Sequence, residues 1–173
     1  FYVSYGKNTI ILLTMLLFSG IGFAQESNNG KQLWAKSFLN EKAPELTVET
    51  WISKKPDTEG KFVIIDFWAT WCGPCRKAIP ELNEIAKEFS KDVVVIGISD
   101  EPVEKIKAMK EPVIEYYYGV DTKKTMDKIL EIKGIPHVII IDPKGIVRWE
   151  GFPLLENHKL TPEVVKNLIE KYK

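Results

Sequence analysis

The sequence predicts an α/β protein in which helices cover both faces of a mixed central sheet, a three-layer α/β/α sandwich. Strand-like and helix-like stretches alternate through the middle of the chain. Two of the strand-like stretches are continuous apolar runs, which are typical of central strands covered on both faces. A hairpin-like pair of strands and a terminal helix follow. Such alternation, with a hairpin after it, predicts one sheet between two helical layers.

Six stretches have strand patterns. In chain order they are Leu46–Ile52, Phe62–Trp68, Val93–Ile98, Ile114–Val120, Val138–Ile141 and Ile146–Glu150. The first alternates apolar and polar residues, as a half-buried strand does. The second and third are the continuous apolar runs, and the tyrosines of the fourth are assigned to strand packing. The last two form the hairpin, because Asp142-Pro143-Lys144-Gly145 between them has turn residues.

Four stretches have helical patterns. They are Pro74–Ser90, Glu101–Lys110, Thr122–Ile132 and Pro162–Tyr172. In the first, apolar residues recur at helical spacing, and Pro80 inside it predicts a kink. Thr161 is well placed to cap the last helix, since its hydroxyl can accept a hydrogen bond from a free backbone N–H.

The first residues indicate export. The segment 1–24 has Lys7, then an apolar stretch, then the small residues Gly20, Gly22 and Ala24, which is the order of a secretory signal. Ile10–Ala24 is about 15 residues long, against the ~20 that span a bilayer as a helix. A cleaved signal peptide and a retained membrane anchor both stay open. Residues 25–42 are a lead-in, and 43–173 suit a single domain.

Composition excludes several classes of function. The 24 basic residues are balanced by 24 acidic ones, so no nucleic-acid partner is expected. The chain has two cysteines, too few for a disulfide framework. As a structural bridge, this pair would close a very small loop and stabilise little. The cysteines are therefore predicted to be reactive.

The two cysteines stand in Trp71-Cys72-Gly73-Pro74-Cys75, between an apolar strand and a helix. Cys72 is expected just outside the first helical turn, where free N–H groups and the helix dipole stabilise a thiolate. It is the predicted nucleophile, and Cys75, one turn deeper, is the predicted resolving thiol. Pro74 suits the first helical position, and Gly73 leaves room for a partner. Structural zinc needs four ligands, and only two histidines remain to supply them, so no metal and no cofactor beyond the disulfide are expected.

Asp66 interrupts the second strand. A buried carboxylate is costly unless it is paired or functional, and burial raises its pKa. Asp66 is thus a candidate proton acceptor for Cys75. The alternative is a carboxylate satisfied by the backbone or by water.

These residues, with Gly134-Ile135-Pro136 and the hairpin glycine Gly145, resemble the thioredoxin superfamily over roughly residue 43 to the C-terminus. The export signal and a helix–strand–helix insertion before Ile135 resemble the TlpA/ResA-like branch of exported thiol–disulfide oxidoreductases. The resemblance implies that the Ile135–Pro136 bond is cis and that Ile135 pairs with a substrate peptide. It also implies that Trp71 contacts partners.

Two positions depart from the resemblance. Thioredoxins commonly have a lysine near the buried aspartate on the next strand, and Val93–Ile98 has none. ResA-like proteins have a glutamate shortly after the second cysteine, where this chain has Arg76-Lys77-Ala78. The acid arrangement therefore resembles thioredoxin within a TlpA-like domain.

Gly-Pro between the cysteines is similar to the reducing members, whose potentials lie near about −270 mV, against about −120 mV for the oxidant DsbA. The resemblance implies a reductase of protein disulfides in the periplasm or at the outer face of the membrane. Apocytochrome c or misformed disulfides are the implied substrates, and a membrane thiol donor of the CcdA/DsbD type is the implied partner. A peroxiredoxin-like peroxidase, a disulfide isomerase and a non-catalytic binding domain are the alternatives.

Overall fold

The computed structural model describes residues 33–173, so the predicted signal segment 1–24 and the first part of the lead-in lie outside the described residues. Within this range there are six strands and four α-helices. The strands are β1 (Thr50–Trp51), β2 (Phe62–Phe67), β3 (Val93–Ser99), β4 (Tyr117–Val120), β5 (His137–Ile141) and β6 (Val147–Gly151). The helices are α1 (Gly73–Glu88), α2 (Val103–Ala108), α3 (Thr125–Leu130) and α4 (Pro162–Tyr172), and a short 3₁₀ helix covers Glu156–His158.

The strands form one mixed sheet in the order β1-β4-β3-β2-β5-β6. β2, β3 and β4 run parallel to one another, whereas β1 and β5 are antiparallel to their neighbours and β6 is antiparallel to β5. The segment α2–β4–α3 stands between β3 and β5 in the chain and adds β4 to the sheet between β1 and β3. The predicted α/β class with a mixed central sheet is confirmed.

Alternate residues of β2 face two different helical layers. Phe62 and Ile64 belong to a core cluster that contains residues of α1 and α4, among them Cys75 and Val165. Ile65 and Phe67 belong to a second cluster that includes Met126 and Leu130 of α3. By this alternation Asp66 points to the α1 side of the sheet.

The first predicted strand is shorter than expected. The pattern predicted Leu46–Ile52, but only Thr50–Trp51 is strand, paired at the sheet edge with Val120 and Gly119. Its partner β4 is itself four residues long, so few ladder positions exist. A Cβ on Gly119 would lie 2.6 Å from Val48 Cγ1, so this edge packs closely without extending the ladder.

Helices α2 and α3 are also shorter than the predicted Glu101–Lys110 and Thr122–Ile132. Lys124 and Glu131, with φ of 56° and 49°, bracket α3 in the left-handed region, which ends a right-handed helix at both sides. The α4 bounds match the prediction, and the Thr161 hydroxyl accepts a hydrogen bond from Val164 N at 3.3 Å. Within residues 33–173, none of the helices has the length and apolar character needed to span a bilayer.

Candidate active site

Cys72 and Cys75 form a disulfide at the N-terminus of α1, with their Cα atoms 5.2 Å apart. Cys72 is the N-cap residue, with an extended backbone (φ −80°, ψ 102°), and its sulfur accepts a hydrogen bond from Cys75 N at 3.1 Å. Pro74 occupies the first turn of α1, where its missing N–H removes no helical bond. The start of the helix therefore directs the Cys75 N–H at the Cys72 sulfur, an arrangement that stabilises a thiolate there.

The two sulfurs differ in access from solvent. Cys75 is fully buried, while Cys72 is 4% exposed and lies between Trp71, which is 68% exposed, and the exposed Gly73. A Cβ built on Gly73 meets nothing within 4 Å, so the space beside it is open. A partner that approaches from this side reaches Cys72 before Cys75.

Asp66 is fully buried, on the face of the sheet that α1 covers. Its Oδ2 accepts a hydrogen bond from the Tyr116 hydroxyl at 3.2 Å, and its Oδ1 has no hydrogen-bond partner within residues 33–173. Burial raises the pKa of Asp66 to about 7, and the hydrogen bond from Tyr116 opposes that rise. The carboxylate is thus held close to the point where it takes up or releases a proton at neutral pH.

Tyr116 is a site residue that sequence reasoning missed, because its tyrosine run was assigned to strand packing. It lies directly before β4, is 5% exposed and belongs to the core cluster on the α1 side. Burial, followed by the charge of Asp66, raises the pKa of Tyr116 well above its ordinary value, so its hydroxyl stays protonated and donates. The one signal in the sequence was indirect: a buried carboxylate needs a donor, and β3 has no lysine.

Gly97 leaves space for the side chains of Tyr116 and Trp68. In the sheet register it stands opposite Asp66 on the neighbouring strand β3. A Cβ there would lie 3.0 Å from Trp68 Nε1 and 3.1 Å from Tyr116 Cε2. The glycine thus allows an indole and a phenol ring to pack over the sheet beside Asp66.

Glu101 fastens the loop that leads to Cys72. Its carboxylate accepts hydrogen bonds from Thr70 N at 2.6 Å and from Thr70 Oγ1 at 2.8 Å, and it pairs with Lys105 at 3.1 Å. Burial alone would raise the pKa of Glu101, but the bonds from Thr70 and Lys105 outweigh it and the pKa falls below its usual range. Sequence reasoning placed Glu101 in a helix, whereas α2 begins only at Val103 and leaves the carboxylate to hold the loop.

The Ile135–Pro136 peptide bond is cis and directly precedes β5. A cavity of about 380 Å³ lies at this end of the sheet, and both Trp71 and Ile135 line it. Asp100, Lys124 and Asp127 also line it, and Lys124 is ion-paired with Asp100 at 2.5 Å. The structure therefore brings Trp71 and Ile135, two predicted substrate-binding residues far apart in sequence, to one surface beside Cys72.

A second cis bond, Glu111–Pro112, lies near the first turn of α1. Arg76 Nη2 donates to Glu111 O at 2.7 Å, and a shallow cavity there is lined by Gly73, Arg76 and Pro112. Among residues 33–173, no three His, Cys, Asp or Glu side chains are grouped as metal ligands.

Comparison with known proteins places this arrangement in a family. The model of the AhpC/TSA family matches residues 39–150, which include the disulfide, Asp66 and the cis-proline. The chain belongs to the AhpC/TSA family. Relatives named ResA confirm the predicted resemblance to ResA-like thiol–disulfide oxidoreductases.

The AhpC/TSA domain has relatives named for thiol chemistry. The thiol-disulfide oxidoreductase ResA of Bacillus subtilis is 26% identical over 111 residues, which cover 61% of this chain and 62% of ResA. The thiol:disulfide interchange protein HelX of Rhodobacter capsulatus is 27% identical over 154 residues, 84% of this chain and 86% of HelX. The thioredoxin domain of a thiol-disulfide oxidoreductase from Bacteroides vulgatus superposes with a TM-score of 0.60 at 26% identity, covering 77% of this chain and 96% of that domain. With the Cys72–Cys75 pair, these relatives support thiol–disulfide exchange as the chemistry of the chain.

Proposed function

We propose that the protein is an exported reductase of protein disulfides that works through the Cys72/Cys75 dithiol. The observation that carries the proposal is the difference between the two sulfurs. Cys72 caps α1 and lies next to open space at Gly73, whereas Cys75 is fully buried behind it. Such a pair suits one sulfur that attacks a substrate and another that resolves the complex.

The reaction passes two electrons to the substrate. In the reduced protein the Cys72 thiolate attacks one sulfur of the substrate disulfide, forms a mixed disulfide and releases the first substrate thiolate, which takes a proton. Asp66 then accepts the proton of Cys75. The Cys75 thiolate attacks the Cys72 sulfur, closes the Cys72–Cys75 disulfide and releases the second substrate thiolate.

Asp66 is suited to its step by its surroundings. With a pKa of about 7, a large fraction of the carboxylate is ionised at neutral pH and can accept a proton, while the protonated form is also readily reached. By strand alternation Asp66 faces the α1 side of the sheet, and its hydrogen-bond donor Tyr116 belongs to the same core cluster as Cys75. This supports the role of proton acceptor over that of a carboxylate satisfied by backbone or water.

The docking surface consists of Trp71, Gly73, Pro74, Ile135 and Pro136. Trp71 offers a large exposed ring beside the sulfur, and large amphipathic rings of this kind contribute strongly to protein interfaces. The backbone at Ile135 can pair with an extended substrate segment. The cavity between Trp71 and Ile135 has room for a substrate side chain.

The direction of electron flow is proposed to be reductive, outside the cytoplasm. The Gly-Pro pair between the cysteines supports this direction, and the similarity to ResA and HelX supports the exchange chemistry itself. A membrane thiol donor of the CcdA/DsbD type would return electrons to the disulfide, and apocytochrome c or misformed disulfides would receive them. We expect a reduction potential nearer to about −270 mV than to about −120 mV, and a value near the latter would contradict the reductive direction.

Reduction of insulin disulfides with dithiothreitol as electron source tests the activity. We expect the wild-type protein to accelerate the reaction and Cys72→Ser to abolish the acceleration, because no attacking thiolate remains. Acceleration that survives in Cys72→Ser would contradict the proposal. The same assay tests the alternative of a non-catalytic binding domain, which would not accelerate the reaction at all.

The peroxidase and the isomerase are tested separately. A peroxidase of the peroxiredoxin type needs a Thr-x-x-Cys site, and this chain has the pair Cys72/Cys75 in its place. Turnover of hydrogen peroxide without a thiol partner would favour the peroxidase. Recovery of activity from scrambled ribonuclease by Cys75→Ser as efficiently as by the wild type would favour an isomerase, since an isomerase requires only the attacking thiol.

A further inference from the structure

We propose that Tyr116 is a positioning residue of the exchange reaction, which orients the Asp66 carboxylate and sets how readily it takes the Cys75 proton. The inference rests on the proposed role of Asp66. It adds a residue that neither the family comparison nor the sequence motif identifies.

The contact joins two parts of the chain across the sheet. Asp66 lies in β2 and Tyr116 directly before β4, with β3 between these strands. The phenol reaches over Gly97, where a Cβ would lie only 3.1 Å from its ring, and donates to Asp66 Oδ2 at 3.2 Å. Both residues are buried, so the hydrogen bond is not exchanged readily for one with bulk water.

Tyr116 stands alone in this role among the described residues. In the sheet register Asp66 stands opposite Gly97 of β3 and Val138 of β5, and the buried side chains on its face of the sheet form an apolar cluster that includes Trp68 and Cys75. None of them is a charged residue. Burial raises the pKa of Asp66, and the Tyr116 hydrogen bond is the influence that lowers it. This hydroxyl thus stabilises the ionised carboxylate in a chain whose strand β3 has no lysine.

The consequence for the reaction follows from the sign of that influence. A hydrogen bond to the ionised carboxylate favours the ionised form. If the hydroxyl is removed, the pKa of Asp66 rises further, and fewer molecules have an ionised acceptor at neutral pH. The step in which Cys75 resolves the mixed disulfide then slows at neutral pH and recovers at higher pH.

Tyr116→Phe tests the inference, since it removes the hydroxyl and keeps the ring. The resolving step is followed as single-turnover decay of a preformed mixed disulfide between Cys72 and a model thiol, over a range of pH. We expect the midpoint of the pH–rate profile to move up by about one unit, as loss of one charge-assisted hydrogen bond implies. Tyr117→Phe is the matched control: Tyr117 packs in the cluster on the opposite face, and its profile should match the wild type.

Two further measurements keep the inference separate from the role of Asp66. The carboxyl of Asp66 is titrated by carbon NMR in the wild type and in Tyr116→Phe, where an equal midpoint overturns the inference. The profile is also recorded for Asp66→Asn with and without Tyr116→Phe, and we expect no further shift in the double variant. A shift that persists without Asp66 overturns the inference. An unaltered profile in Asp66→Asn alone removes Asp66 from the reaction, and Tyr116 with it.

Discussion

Asp66 shows at the scale of one residue how function opposes stability. The β2 strand would be wholly apolar without it, and the carboxylate is buried with one oxygen lacking a partner in the described part of the chain. Burying a polar group with incomplete hydrogen bonding is destabilising. This cost is consistent with the proposed role of Asp66 as proton acceptor for Cys75.

The stability of the protein should therefore depend on the ionisation of Asp66. Its pKa in the folded state is about 7, raised above the ordinary 3.8, so the folded state binds the proton more tightly than the unfolded state does. The resulting destabilisation is absent below about pH 4, grows as pH rises, and is complete above about pH 7, where it amounts to about 4 kcal/mol. Asp66→Asn should be more stable than the wild type at pH 8 and should lose most of that advantage at pH 4.5.

Urea unfolding of the oxidised wild-type and Asp66→Asn proteins at both pH values measures this. The comparison uses the difference between the two proteins, so that other titrating groups cancel. An advantage of Asp66→Asn that is equal at pH 4.5 and pH 8 would show that the carboxylate is not the titrating group.

Several single residues of the site were predictable from the sequence, and others were not. Three residues stand out in the sequence. The pair Cys72 and Cys75 stands at the start of a helix, and Asp66 is an acid within an apolar strand. Tyr116 and Glu101 do not stand out. Their roles depend on contacts with Asp66 and Thr70, 50 and 31 residues away in the chain, and no local pattern encodes such a distance.

At the scale of elements, α1 and the loop before it form the functional unit. The helix contributes the Cys75 N–H at the Cys72 sulfur, and Glu101, which lies between β3 and α2, accepts two hydrogen bonds from Thr70. The position of the Cys72 sulfur is therefore held by contacts on both sides of it in the chain, from Thr70 before it and from α1 after it.

The central strands and α1 were predicted closely because their patterns are strong. Edge strand β1 and the short helices were not, since their ends depend on tertiary pairing and on residues such as Lys124 that adopt positive φ.

Glu101→Gln should loosen this unit. The amide retains one acceptor oxygen, loses the second acceptor for Thr70 and loses the ion pair with Lys105. We expect a loss of unfolding free energy of about 1–3 kcal/mol and insulin reduction several-fold slower than in the wild type. Urea unfolding and the insulin assay measure the two effects.

Glu104→Gln is the matched control. Glu104 lies three residues further along, on the short helix α2, and it is exposed. It should leave both stability and rate unchanged. Equal stability and rate in Glu101→Gln and Glu104→Gln would contradict the role of Glu101 in holding the loop.

At the scale of the whole molecule, the sheet gathers distant residues at one end. The parallel strands β2 and β3 end beside the Trp71–Cys72 loop, and the antiparallel β5 begins there after Ile135 and Pro136. Crevices at the carboxyl ends of parallel strands are the usual position of ligand sites in α/β sheets. The cavity bounded by Trp71 and Ile135 lies at this end, the same end of the sheet as the Cys72–Cys75 disulfide that follows Trp71.

The central claim is that Cys72 attacks a protein disulfide and Cys75 resolves the complex. It is tested most directly by covalent trapping: Cys75→Ser and, in parallel, Cys72→Ser are produced with the full chain in an exporting host and analysed by non-reducing electrophoresis and mass spectrometry. We predict that Cys75→Ser accumulates mixed disulfides joined through Cys72 and released by dithiothreitol, and that Cys72→Ser accumulates none. Mixed disulfides through Cys75 in the Cys72→Ser protein, with none in Cys75→Ser, would contradict the account.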